Sequence, residues 1–236
     1  MREHGHWQHR AEAFCEMMKR KDLGKYSIDD WVKEFAEIYA DVDIKRSPAE
    51  IWLLLVEDAS KVAECIRTEK YADVPELLAH VFCWTCALVW RLSKNNNLKT
   101  RFNLQIEPLS RIVWNKYPKR CSLCGEERCI CSVRRSELEG LSKEDKERVL
   151  KSVEESLKVA RRRIENIPKT LDEFIVMFKE IYMGAHYLLP IESVALHFME
   201  EVGEVSSCIR ALREGQKTQD INKQTSELKK EIADVF

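Results

Sequence analysis

Glycine and proline are scarce: the 236-residue chain has 7 of the first and 6 of the second. There is no Gly-rich loop, neither G-x-x-x-x-G-K-[ST] nor G-x-G-x-x-G, to cradle phosphates with backbone N–H groups. A nucleotide bound here must therefore be held by metal ions and side chains. Alternating Val/Ile/Thr runs are also rare, whereas apolar residues recur every three or four positions over long stretches. The chain reads as all-α. Neither sign of charge is in excess (39 Lys and Arg against 40 Asp and Glu), so no net field points to nucleic acid or to a membrane. No apolar run approaches the ~20 residues that span a bilayer, and the opening MREHGHWQHR lacks the apolar stretch of a signal peptide. The expectation is a cytoplasmic protein with neither a membrane nor a nucleic acid as partner. With 44% hydrophobic and 33% charged residues, it can bury a sizeable core.

What is present is an internal repeat at an offset of 143 residues. SIDDWVKEFAEIY (Ser27–Tyr39) lies over TLDEFIVMFKEIY (Thr170–Tyr182), each opening with a capping box, Ser27 with Asp30 and Thr170 with Glu173. Without a gap, LVEDASKVAECIR (Leu55–Arg67) then lies over FMEEVGEVSSCIR (Phe198–Arg210). After a longer loop in the second copy, PELLAHVFCW (Pro75–Trp84) matches KKEIADVF (Lys229–Phe236). The expected organisation is an N-terminal helical extension at 1–23 and a first repeat at 24–93. A cysteine-bearing linker at 94–141, a connecting helix at 142–166 and a second repeat at 167–236 follow. The connecting helix starts at Ser142 with Asp145 in a capping position. Its apolar line is Val149, Val153, Leu157, Ala160 and Ile164, and Arg161–Arg163 reads as a solvated basic face. Repeat one completes its third helix with CWTCALVWRL, while repeat two stops at Phe236 inside the equivalent helix. The sequence thus leads us to expect a truncated chain, its exposed core surface covered by further residues or by a partner, for instance a second copy through the bundle.

Chemistry concentrates in Glu200-Glu201-Val202-Gly203-Glu204 and Glu231-Ile232-Ala233-Asp234. At i,i+3 spacing Glu201 and Glu204 share one helical face, as do Glu231 and Asp234. Both pairs sit in apolar sequence and so should face a helix–helix seam. Converging carboxylates are unfavourable there unless a divalent cation joins them, and hard oxygen donors suit Mg²⁺ or Mn²⁺. Arg210 and Lys230 are candidate phosphate contacts, with plain surface cations as the alternative.

EEVGE followed by EIAD resembles the E-E-x-x-E…E-x-x-D motif of the MazG-like all-α nucleotide pyrophosphohydrolases. The resemblance covers both repeats, but the motif is intact only in the second. It implies a helical bundle that cleaves a nucleoside triphosphate to monophosphate and pyrophosphate. It also implies Mg²⁺ ligation by Glu201, Glu204, Glu231 and Asp234, with Glu200 as base or outer ligand. At the four ligand positions repeat one carries Asp58, Lys61, Leu77 and His80. It reads as a degenerate copy, packed as a pseudo-dimer partner; His80 is either functional or a satisfied interior histidine.

Cys121, Cys124, Cys129 and Cys131 gather four thiols within CSLCGEERCIC. Four thiolates match a tetrahedral structural Zn²⁺ site; redox chemistry and free thiols are the alternatives. Gly125 permits the tight turn such a knuckle needs. Trp114, Tyr117, Lys116, Lys119 and Arg120 beside it make nucleic-acid contact conceivable. The other cysteines, Cys15, Cys65, Cys83, Cys86 and Cys208, read as small buried hydrophobes, and His4, His6 and His9 as a solvated tail. Trp52, Trp84, Tyr187 and Phe198 read as core rather than base-stacking residues. Two functions follow: a Mg²⁺-dependent nucleotide pyrophosphohydrolase with a structural zinc, or a non-catalytic interaction module whose knuckle binds a protein or nucleic acid.

Overall fold

The structure, a computed structural model, describes residues 23–94, 106–186, 189–213 and 218–236. Among them lie nine α-helices. They are α1 (Ile28–Asp43), α2 (Pro48–Arg67), α3 (Val74–Ser93), α4 (Leu109–Lys116), α5 (Cys131–Glu139), α6 (Lys143–Arg161), α7 (Leu171–His186), α8 (Ile191–Arg213) and α9 (Thr218–Val235). No β-strand occurs among the described residues, so the all-α class read from the apolar period is the class observed. The expected N-terminal extension, Cys15 and the terminal histidines, the start of the linker and Tyr187 lie outside the described residues.

The capping chemistry sets the helix starts. Ser27 Oγ accepts the Asp30 N–H at 3.0 Å while Asp30 accepts the Ser27 N–H at 3.3 Å. Thr170 and Glu173 make the same exchange at 3.3 and 3.4 Å. Ser142 Oγ accepts the Asp145 N–H at 3.1 Å at the head of α6. A further box, Ser47 with Glu50 around Pro48, opens α2. Each such cap contributes about 0.5–2 kcal/mol.

Helix α2 packs on α3 and, across the molecule, on α8; α8 packs on α9, α1 on α3, and α4 on both α9 and α1. α2 and α8 run antiparallel. Trp52 Nε1 near the start of α2 donates to Ser206 Oγ near the end of α8 at 2.6 Å, while Val62 and Ile66 late in α2 meet Ala195 early in α8. Ahead of α1 and α7, Ser27 and Thr170 form an isolated antiparallel bridge, with the Ile28 N–H donating to the Lys169 carbonyl at 2.9 Å. The rings of Phe82 and Phe236 lie 6.0 Å apart. One core runs through all of this, joining Ile28, Leu55 and Leu88 to Leu109 and Trp114 and on to Phe174, Val205 and Ile232.

Two expectations change. Tyr71–Ser93 is long and apolar enough, by length and composition, to cross a membrane. In this fold the apolarity of its second half is spent on the core, where Val81, Cys86, Leu88, Val89 and Leu92 are buried. Nor is the basic run ending α6 simply solvated. Arg161 Nε donates to the Asn115 carbonyl at 2.6 Å and Nη1 to Glu154 at 2.7 Å. The Arg161 carbonyl in turn accepts from Trp114 Nε1 at 3.2 Å. Asn115 sits in the last turn of α4, whose carbonyls have no intrahelical partner, and the guanidinium supplies one. Of the apolar line of α6 only Leu157 and Ala160 are buried. Ile164 is exposed because the α-helix ends at Arg161 and a 3₁₀ turn breaks the register.

Two leucines of α2, two residues apart, test the packing. Leu55 is fully buried and Leu53 is 65% exposed, so Leu55→Ala should cost about 2–5 kcal/mol and Leu53→Ala less than about 0.5 kcal/mol in urea unfolding.

Candidate metal centres

The apolar residues of α8 and α9 dictate where their acids go. Val202, Val205 and Ile209 bury one side of α8, and Leu228, Ile232, Ala233 and Val235 one side of α9. The acids one position away fall at the edge of the seam. Glu201, Glu204 and Glu231 each bring a carboxylate oxygen within 4.8 Å of the others. Glu201 and Glu231 are largely covered, their side chains 16% and 13% exposed, whereas Glu204 opens to solvent.

Asp234 stands outside this trio. One of its oxygens takes the Lys116 ammonium and the other the Tyr117 hydroxyl. Lys116 Nζ also lies 3.9 Å from Glu231 Oε2. Glu200 turns outward to His197, whose Nδ1 is 3.3 Å away; the other ring nitrogen is 3.4 Å from Glu201. His197 has a local signal, preceding Glu201 by one helical turn. Lys116 and Tyr117 have none: they come from more than a hundred residues upstream. Lys116 is largely covered, its side chain 18% exposed.

α4 holds them there. Its first turn is tied to α1, the Ser110 N–H and hydroxyl both donating to Asp29 at 3.0 and 2.5 Å, and its last turn is clamped by Arg161. The Tyr117 ring packs edge-on against Phe178 and Tyr182 at 5.2 and 6.1 Å. Of the suggested phosphate contacts, Lys230 pairs with Glu227 at 3.0 Å and Arg210 lies exposed on α8.

The electrostatics of the seam are unbalanced. Burial, reinforced by Glu204 and Glu201, raises the Glu231 carboxyl despite the pull of Lys116. Burial likewise lowers the Lys116 ammonium despite Glu231, Glu201 and Glu204. Desolvation outweighs their mutual attraction for both partners, so negative charge here is only partly matched. One turn beyond Glu204, burial and the neighbouring acids push the Cys208 thiol up to about 11.

The corresponding place in the first half is closed. Asp58 is held by Lys61 Nζ at 2.9 Å and Trp84 Nε1 at 3.0 Å, with His80 at 3.8 Å, and Leu77 packs on Val62, Ile66 and Ala195. Trp52 is core, as expected, while Trp84 carries Arg46 over its ring at 5.7 Å. Burial pushes Cys83 up to about 12 and Cys86 well above the ordinary thiol range, so both are unreactive.

The four knuckle cysteines do come together, their sulfurs all within 4.8 Å of one another and those of Cys121 and Cys131 at 3.5 Å. Tetrahedral metal–sulfur bonds of about 2.3 Å place sulfurs about 3.8 Å apart, so the group can hold a metal ion such as zinc. The loop closes through Gly125 N–H to the Cys121 carbonyl (2.9 Å) and Cys121 N–H to the Glu126 carbonyl (2.8 Å). Gly125 has φ +73°, where a side chain is strained, and a Cβ there would come 3.2 Å from Val153 Cγ1, a tight contact. Burial and the neighbouring thiols push the Cys131 thiol far up. The Cys129 N–H donates to the Ile181 carbonyl at 2.7 Å, fastening the knuckle to α7. A cavity of about 380 Å³ opens beside it, lined by Trp114, Lys119, Arg128, Arg163 and Met177 among others. Its acidic lining is Glu127 and Glu180 rather than Glu201, Glu204, Glu231 or Asp234.

The raised Glu231 fixes the sign of a pH effect. The stability from its protonated form is present below the unfolded value of about 4.3 and is lost as pH rises through the higher folded value. Without added Mg²⁺, Glu231→Gln should therefore melt above wild type near pH 8, and the gap should close towards pH 4. A gap that widens on acidification would show the reverse linkage.

Comparison of the chain with models of protein families, with curated proteins and with solved structures gave no match.

Proposed function

We propose that the chain is a Mg²⁺-dependent nucleotide pyrophosphohydrolase of the MazG-like kind, with one working half. The observation that carries this reading is the convergence of Glu201, Glu204 and Glu231 from two helices onto one half-buried point. Three hard donors with too little positive charge among them fit a divalent cation of the Mg²⁺ or Mn²⁺ type.

In the same reading residues 24–93 and 167–236 are tandem repeats packed as a pseudo-dimer. Isologous contacts pair a position with its own equivalent. Ser27 bridging Thr170 and Phe82 meeting Phe236 are both such pairs, and the central helices α2 and α8 cross antiparallel as a two-fold demands. The first half keeps the packing and has exchanged its metal chemistry for the internal pairing of Asp58 with Lys61 and Trp84. The linker carries the knuckle and α6 joins it to the second half.

The reaction is hydrolysis at the α-phosphorus. A bond from a water oxygen forms, the bridging α–β P–O bond breaks, and the water gives up a proton, yielding the monophosphate and pyrophosphate. The divalent ion, when bound, supplies a Lewis acid for phosphate oxygens and for the water. Glu201, Glu204 and Glu231 hold it. Asp234 orients Lys116, whose ammonium offers fixed positive charge to the phosphates. Glu200, exposed and hydrogen-bonded to His197, stands as base or outer ligand on the solvent side. No Gly-rich loop is needed.

The second centre is proposed as a structural Zn²⁺ site of Cys121, Cys124, Cys129 and Cys131, with no position open to water. One observation favours the alternative, a non-catalytic interaction module: Leu123, Ile130 and Val133 stand exposed around the knuckle, an apolar knob suited to a protein partner.

A panel of NTPs and dNTPs with Mg²⁺, scored for pyrophosphate, tests the assignment. Glu204→Gln should lower turnover by about 100-fold or more; equal activity in both proteins removes this site from the mechanism. Release from no nucleotide by wild type supports the interaction module. For the knuckle, the purified chain should carry about one zinc ion, and Cys124→Ser should lose it together with thermal stability. Zinc-free wild type prepared without chelators would end that assignment.

A further inference from the structure

The four acids of the motif are not equivalent in this fold. Glu201, Glu204 and Glu231 face one another, while both oxygens of Asp234 are taken by Lys116 and Tyr117. Lys116 does not reach in from a loose surface chain. It ends α4, whose first turn is bonded to α1 through Ser110 and Asp29, and its side chain is only 18% exposed. The next residue, Tyr117, is wedged against Phe178 and Tyr182 of α7. The ammonium therefore stands fixed between Asp234 and Glu231, and a divalent ion bridging those two acids would have to occupy the same place. Like charges cannot share it.

We infer that Lys116 is a built-in cation of the centre, taking the place of a second divalent ion beside Glu231 and Asp234, so that the site binds a single divalent ion on Glu201, Glu204 and Glu231. The inference rests on the metal-binding reading given above and sharpens it, because it limits the centre to one divalent ion and gives Lys116 the place of a second. The first half carries a parallel. Lys61 stands where the second half has Glu204, and its ammonium pairs with Asp58 and Glu57 at 2.9 Å each. There one lysine serves in place of any metal; in the second half a lysine from a different helix serves in place of one. The C-terminal end of α4 suits the role, since the helix dipole favours a cation at its last turn.

Mn²⁺ titration of the zinc-loaded chain, followed by the loss of the free-ion EPR signal, tests this without reference to activity. Wild type should bind one Mn²⁺ at this site. Asp234→Asn should hold its affinity within about threefold, while Glu204→Gln should weaken it by about tenfold or more. Lys116→Met should either admit a second ion or tighten the first by about tenfold, and Lys116→Arg should restore the single-ion titration. Should Lys116→Met lose its helical CD signal, the comparison of Asp234→Asn with Glu204→Gln decides the matter. Equal losses in those two proteins, or an unchanged titration in folded Lys116→Met, would overturn the inference and leave the metal centre standing. No Mn²⁺ bound by wild type at millimolar concentration would overturn the metal centre itself, and this inference with it.

Discussion

Carboxylates drawn into a helix seam must meet positive charge there, because each ion taken out of water unpaired costs several kcal/mol. The two halves of the molecule meet that demand differently. In the first, Asp58 is enclosed by Lys61 and the Trp84 indole, and Leu77 packs on Val62, Ile66 and Ala195. In the second, three glutamates remain turned towards one another, with Lys116 beside Glu231 and His197 beside Glu201. Burial still outweighs attraction for both Lys116 and Glu231, so both charges are held there at a cost.

The linker between the halves is part of this arrangement rather than a tether. α4 rests on α1 and α9, is capped by Arg161 of α6, and leads straight through Lys116 and Tyr117 into Cys121. The knuckle is fastened to α7 by the Cys129 N–H and to α6 by the Ser156 hydroxyl, which donates to the Gly125 carbonyl. Tyr117 and Tyr182, which fill the space between knuckle and acids, are both buried enough to hold their hydroxyls firmly protonated.

Much of the fold was legible because it depends on local rules. The helical period, the Ser27, Ser142 and Thr170 caps, the turn at Gly125 and the grouping of four cysteines within eleven residues all involve residues a few positions apart. The i,i+3 acids were legible for the same reason, and a shared helical face made the Glu201–Glu204 pairing secure.

What lay beyond the sequence is every contact made at long range. The composition of α6 could not tell that Arg161 caps a helix 46 residues away, and Asp234, in perfect register with its motif, gave no hint that Lys116 and Tyr117 would claim it. By itself the sequence determined an all-α chain with four clustered thiols and two i,i+3 pairs of acids set in apolar sequence. Only the tertiary structure decided which acids meet one another and which meets a lysine. Spacing along a helix fixes the face a side chain shares, whereas the charge opposite that face comes from whichever distant helix the core packing brings there.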